Sequence, residues 1–190
     1  MRRQSSSTSG RLFDSTCLLI VGQCVDQNIS GQGGAGRALD LARPLGPTPL
    51  QRYDRAMCGR ARLSSDVSET KLVFSIPPER PTPNIAPSWS VAPTDPLPIV
   101  RFDARDGERS LDVMRWGLIP FWAKDIKIGF STFNARGEEL ETKPAFREAF
   151  RQRRCLVPLD SFYEWKKTGT GKQPYAIALA DRRLMGMAGL

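Results

Sequence analysis

A chain of 190 residues is long enough to bury a substantial core without metal or disulfide staples. Its 28 Lys and Arg against 20 Asp and Glu give a formal charge of +8, an excess that favours anionic partners, nucleic acid first and acidic membrane surfaces second. The four cysteines (Cys17, Cys24, Cys58 and Cys155) form no C-x-x-C pair and the sequence has no histidine, so neither a zinc set nor a disulfide framework is expected, and no apolar run reaches the length of a membrane span.

Residues 1–56 carry all their positive charge on arginine, from Arg2 to Arg55, and add Ser5-Ser6-Ser7 and the glycine-rich Gly31 to Gly36. Only Leu18 to Val21 could supply packing, so this segment is expected to be a disordered extension. Its composition also suits upstream sequence read through in frame, with the true start at Met57. The stretch AMCGRARL, Ala56 to Leu63, places a start-like Met57-Cys58 pair at that boundary. A domain is expected over 57–190.

From Met57 onward, short apolar runs are punctuated by Pro and Gly, the texture of a strand-rich domain. Asp66 followed by Glu69 predicts a capped helix reaching about Phe74. Pro77 to Pro87 must be an ordered loop or a linker. Leu97 to Phe102 and Leu111 to Trp116 read as strands of a hairpin joined across Arg105-Asp106-Gly107. Ala145 to Arg151 reads as helix, with the cations Arg151, Arg153 and Arg154 at its C-terminal end. Cys155 to Pro158, Phe162 to Lys166, Tyr175 to Leu179 and Leu184 to Ala188 read as strands. KTGTGK, Lys167 to Lys172, lacks the spacing of a phosphate loop and is expected to be a hairpin tip. The final MGMAGL ends inside an apolar strand-like run, which would leave an unpaired edge and suggests a C-terminally incomplete domain.

Five motifs lie in order along 57–190: MCGR at Met57 to Arg60, SVAPT at Ser90 to Thr94, RWGLIPFWAKD at Arg115 to Asp125, FNARGE at Phe133 to Glu138 and CLVPLDSFYEW at Cys155 to Trp165. Together they resemble the SOS-response-associated peptidase family, whose members act on abasic sites in single-stranded DNA. The resemblance implies an α+β fold, mainly antiparallel β and barrel-like, and a monomer needing neither cofactor nor metal. It also implies a partner, single-stranded DNA containing abasic sites, and a cytoplasmic, nucleoid-associated place in the DNA damage or SOS response.

The implied chemistry explains the opening stretch. An abasic site exposes a ring-open aldehyde, and an N-terminal cysteine offers it an amine and a thiol on adjacent carbons. The amine condenses to a Schiff base, and the thiol then closes a five-membered thiazolidine. Near neutrality a useful fraction of each group is reactive, since a free α-amine titrates at about 7.7 to 8.0 and a free thiol near about 8.5. Inside the chain the Cys58 nitrogen is an amide whose lone pair is delocalised, so the reaction waits on initiation at Met57 or on cleavage after it.

The resemblance further implies Asn134 near the reacting sugar, Arg136 on the DNA backbone and Glu164 as a proton-shuttling carboxyl. Set among Phe162, Tyr163 and Trp165 on a strand, Glu164 is expected to face a partly dry pocket that raises its pKa. Arg60, Arg115 and Lys124 are expected on phosphates, with Trp116, Phe121 and Trp122 as stacking or wedge surfaces, although tryptophans at such spacing are more often core and one of Trp116 and Trp122 is expected to be largely buried. The family's histidine lies in a later segment with no counterpart here. Ser90 and Ser161 stand where asparagine and glycine are common. Two other readings remain open: a thiol peptidase that removes its own N-terminus, which would lack a histidine base, and a module that grips single strands without chemistry.

Overall fold

The computed structural model describes residues 59–190 and, from the preceding segment, the backbone of two strands, β1 (Thr16–Cys17) and β2 (Leu19–Cys24). The remainder of the expected disordered extension, with Met57 and Cys58, lies outside the described residues.

The domain continues with β3 (Ala61–Leu63), α1 (Val67–Val73), β4 (Ser88–Val91), β5 (Pro96–Asp103) and β6 (Glu108–Trp116). After a long loop come β7 (Asn134–Arg136), α2 (Arg147–Gln152), β8 (Cys155–Leu159), β9 (Ser161–Thr168), β10 (Gly171–Ile177) and β11 (Met185–Gly189). The strands form a seven-stranded sheet, in the order β1-β6-β5-β8-β11-β2-β7, and a four-stranded sheet, β10-β9-β3-β4. Pairing is antiparallel except for β1 on β6 and β2 on β7, which run parallel. The mainly antiparallel α+β expectation holds. The barrel does not: neither sheet closes on itself among the described residues.

Local sequence accounts for most of these elements. Asp66 caps α1 by accepting the Ser68 N–H at 2.6 Å, as its position before an apolar run predicts. The β5–β6 hairpin runs in unbroken register from Pro96 opposite Arg115 to Asp103 opposite Glu108. Its strand β5 is buried at Leu97, Pro98, Ile99 and Val100 in succession because both of its faces are covered. One face joins Met114, Trp116, Val157, Leu159, Met185 and Met187 with Ala61 and Val91 of the smaller sheet, a core that spans both sheets. The other joins Leu63, Phe74, Ile76 and Leu111 beneath α1.

The MGMAGL edge is a second correction. Strand β11 pairs with β8 on one side and with β2, from the N-terminal segment, on the other, so the apolar run is not left open. Strands β3, β4 and β7, of three, four and three residues, were not expected from the sequence. Segments this short carry no readable periodicity and are held by their neighbours.

Candidate active site and nucleic-acid interface

The nucleophile expected from the sequence, Cys58, immediately precedes the described residues that lead into the N-terminal end of β3. This strand lies between β9 and β4, with Ala61 opposite Phe162 and Arg62 opposite Ser161. The backbone N–H of Tyr163 donates to the Arg60 carbonyl at 3.0 Å, so the register extends beyond the strand proper. Extrapolated one residue beyond that bond, the same register would bring Gly59 opposite Glu164. Gly59 is half-buried, with no atom within 4 Å of the place a Cβ would occupy. Cys58, covalently joined to it, falls outside the described residues.

Strand alternation places Glu164 on the same face as Phe162, which packs against the core, while Tyr163 and Trp165 face outward. Glu164 is half-buried, and burial pushes its carboxyl above the ordinary carboxylate range, opposed in part by the Trp165 backbone N–H. Its cross-strand neighbour is Tyr175, on a β10 whose residues are all exposed.

Asn134 opens β7 and is buried, at 4% exposure. The preceding residue, Phe133, accepts a 2.8 Å hydrogen bond from Trp116 Nε1 and meets the indole edge to face, at 6.1 Å and 75°. Asn134 is therefore positioned through the same core that Ala61 and Phe162 enter. Arg136, two residues on, is exposed, as are Arg60 and Lys124.

Between β6 and β7 the chain folds into a loop closed at its neck. Leu118 N–H donates to the Thr132 carbonyl at 3.2 Å, and Thr132 Oγ1 donates to the Leu118 carbonyl at 2.5 Å. Asp125 caps a 3-10 turn, Ile126–Phe130, through the Lys127 N–H at 2.9 Å. The loop exposes Phe121, Trp122, Ile126 and Phe130 together with Lys124 and Lys127. Apolar rings and cations displayed side by side fit a ligand with both aromatic and anionic parts.

Two expected DNA contacts sit differently. Trp116 is 0% exposed, so no face of its ring is open to a base; it is a core residue, fixed by the alternation that also buries Met114. Arg115 is half-buried: Nη1 donates to the Thr94 carbonyl at 3.1 Å, the guanidinium lies 5.9 Å from the Phe130 ring centroid, and Nε is buried with no hydrogen-bond partner among the described residues. Its described contacts brace the Thr94 turn, where a β-branched residue adopts φ 82°, against the aromatic loop. That brace and the exposure of Phe130 were missed in the sequence, where nothing marks which side of the loop faces solvent.

The fold defines a strand-rich α+β domain that carries a half-buried carboxyl on β9, a buried amide at the start of β7 and an exposed aromatic and basic loop between β6 and β7. The chain belongs to the SOS response associated peptidase (SRAP) family, whose model matches residues 57–190. It is 42% identical, over 135 residues, to the abasic site processing protein YoqW of Bacillus subtilis (strain 168), an alignment covering 70% of this chain and 59% of YoqW. To the abasic site processing protein HMCES of Gallus gallus it is 39% identical over 101 residues, 48% of this chain and 30% of HMCES. The chain thus spans less than two thirds of these relatives. A crystal structure of a Bacteroides thetaiotaomicron protein superposes with a TM-score of 0.58 at 26% identity, covering 69% of this chain and 58% of that one.

Proposed function

We propose that this chain recognises abasic sites in single-stranded DNA and, once Cys58 is N-terminal, captures the lesion covalently as a thiazolidine, shielding it as part of a DNA damage response. One observation carries the reading: the Tyr163 N–H donates to the Arg60 carbonyl, and the β3–β9 register extended one residue past that bond would bring Gly59, the residue after Cys58, opposite the half-buried Glu164. The abasic site processing relatives supply the substrate class.

In the proposed reaction the free amine of Cys58 attacks the aldehyde carbon of the open sugar and forms the C–N bond. The carbinolamine hydroxyl leaves as water on receiving a proton from Glu164, whose burial keeps it protonated to higher pH than an exposed carboxyl. Loss of water leaves an iminium that keeps the nitrogen's remaining proton; the thiol sulfur adds to its carbon, the C=N electron pair returns to the nitrogen, and the thiol proton goes back to Glu164. The net change is the loss of one water. Asn134 orients a sugar hydroxyl through its side-chain amide. Arg60, Lys124 and Arg136 take phosphates, and Phe121, Trp122 and Phe130 supply apolar surface to bases beside the lesion.

The test keeps the whole chain: a specific protease site is placed immediately before Cys58, cut after folding, and the protein is mixed with an abasic oligonucleotide. A denaturing gel is expected to show a shifted band from the cut protein, none from uncut protein and none from Cys58→Ala. Cys58→Ser retains the amine only, so its adduct should survive the gel only after borohydride reduction. No band from the cut protein, or a band that persists in Cys58→Ala, overturns the proposal.

A further inference from the structure

On the outer face of the four-stranded sheet, β3 and β4 slip out of register: Ala61 faces Val91, but Leu63 faces Ser88. Two residues of β4, Trp89 and Ser90, therefore oppose the single residue Arg62. Such a bulge re-aims side chains, and here it brings Trp89 onto the face that carries Arg62. The Arg62 guanidinium lies 3.7 Å from the Trp89 ring centroid. Arg62 is itself held, its Nε donating to Ser64 Oγ at 2.9 Å, and Ser64 is fixed by Asp160. Tyr163 Oη donates to the Trp89 carbonyl at 3.0 Å.

Trp89 is nonetheless 62% exposed. An indole on an edge strand, backed by a cation on one face and tied through its backbone, has already lost conformational freedom without burying its ring. That is the preorganisation a stacking surface needs, because the ordering cost is met before the ligand arrives. The surroundings indicate the ligand. Arg60 is exposed two residues before Arg62, and alternation puts Tyr163, Trp165 and Lys167 on the outer face of β9. Among the described residues no carboxylate pairs with Arg60 or Arg62. Unpaired cations interleaved with open rings complement a chain of phosphates and bases.

We propose that Trp89, backed by Arg62, is a base-stacking platform for a nucleotide flanking the one held at the start of β3. At about 3.3 Å per residue, Arg62 lies on the order of 10 Å along the strand from Gly59, so the platform meets a neighbour of the lesion and not the lesion itself. The inference rests on the proposed reading for the identity of the bound strand and on the bulge for the platform.

The test measures binding of the uncut full chain to fluorescent single-stranded oligonucleotides, one undamaged and one carrying a stable abasic analogue. Trp89→Ala is expected to weaken both by about 5- to 140-fold, equivalent to about 1 to 3 kcal/mol at 1.4 kcal/mol per factor of ten, and Trp89→Phe to restore most of the loss. The salt dependence should be unchanged by Trp89→Ala, because stacking releases no counterions, whereas Arg60→Ala should lower its slope by about one. A second measurement needs no variant: deleting single bases along the strand should cost affinity at one position flanking the lesion. Trp89→Ala binding like the parent, which would leave this face to a protein partner, or base deletions without positional effect, overturns the platform. Crosslinking that persists while Trp89→Ala changes nothing sinks the platform alone; a Trp89 effect without crosslinking sinks the capture alone.

Discussion

Gly117 and Gly129 meet back to back: a Cβ on Gly117 would stand 2.7 Å from the Gly129 carbonyl oxygen, and Gly117 adopts φ +133°. No side chain fits, and the backbone conformation itself favours glycine. This contact closes the neck of the loop that displays Phe121, Trp122 and Phe130. Gly117→Ala is expected to lower stability by about 1 to 3 kcal/mol, read from denaturant midpoints, and to weaken single-strand binding by opening the neck.

Two tryptophans six residues apart should separate packing from recognition. Trp116 is wholly buried, whereas Trp122 is 46% exposed. Trp116→Ala is expected to cost about 3 to 5 kcal/mol of stability. Trp122→Ala should leave stability within about 0.5 kcal/mol and instead weaken oligonucleotide affinity. Paired denaturation and binding titrations check both, and a Trp122→Ala that unfolds the protein would move that residue to the core.

Glu164 gives a pH signature. Burial raises its folded pKa above the ordinary 4.5, so the folded chain holds the proton more tightly than the unfolded one. The resulting stabilisation is complete below the ordinary value and is lost as pH rises through the folded value. Glu164→Gln has no proton to lose, so the parent's stability relative to the variant should fall as pH rises across that window. The effect is modest because solvent reaches the group. Denaturation midpoints at a series of pH values read it, and crosslinking by the cut protein should slow in Glu164→Gln.

Asp160 behaves oppositely. Burial pushes its carboxyl up, but hydrogen bonds from Ser65 Oγ at 2.5 Å and from the Ser64 and Ser65 backbone N–H groups at 2.5 Å and 3.1 Å outweigh burial and leave its pKa below 3.8. The stability it contributes is present above the unfolded value and lost as pH falls through the folded one. Asp160→Ala should cost about 2 kcal/mol at neutral pH and flatten the acid limb of the stability profile.

How much of this was legible in the sequence depended on whether the signal was local. The cap at Asp66 and the Pro96–Asp103 and Glu108–Trp116 hairpin were readable because helix capping and strand alternation are written in adjacent residues. The partial burial of Glu164 was not readable from its aromatic neighbours, a pattern that by itself favours a solvent-facing carboxylate; the family resemblance supplied that expectation. That one of Trp116 and Trp122 would be buried was readable from their type and spacing, but which one, and the bracing role of Arg115, were not, because both depend on where Phe133, Thr94 and Phe130 arrive from elsewhere in the chain. The bulge behind Trp89 was invisible for the same reason: it exists only as a mismatch between two strands.

The Tyr163 N–H fastens the chain at the Arg60 carbonyl, leaving Gly59 as the sole joint between that anchor and Cys58. Two Cα steps reach no more than about 7.6 Å, so on the proposed chemistry the nucleophile works on a short leash and cannot sweep for its target. The damaged sugar has to be delivered to it. On that proposal a supple, unpaired strand bends to make the delivery at little cost, whereas a duplex must first extrude the damaged nucleotide.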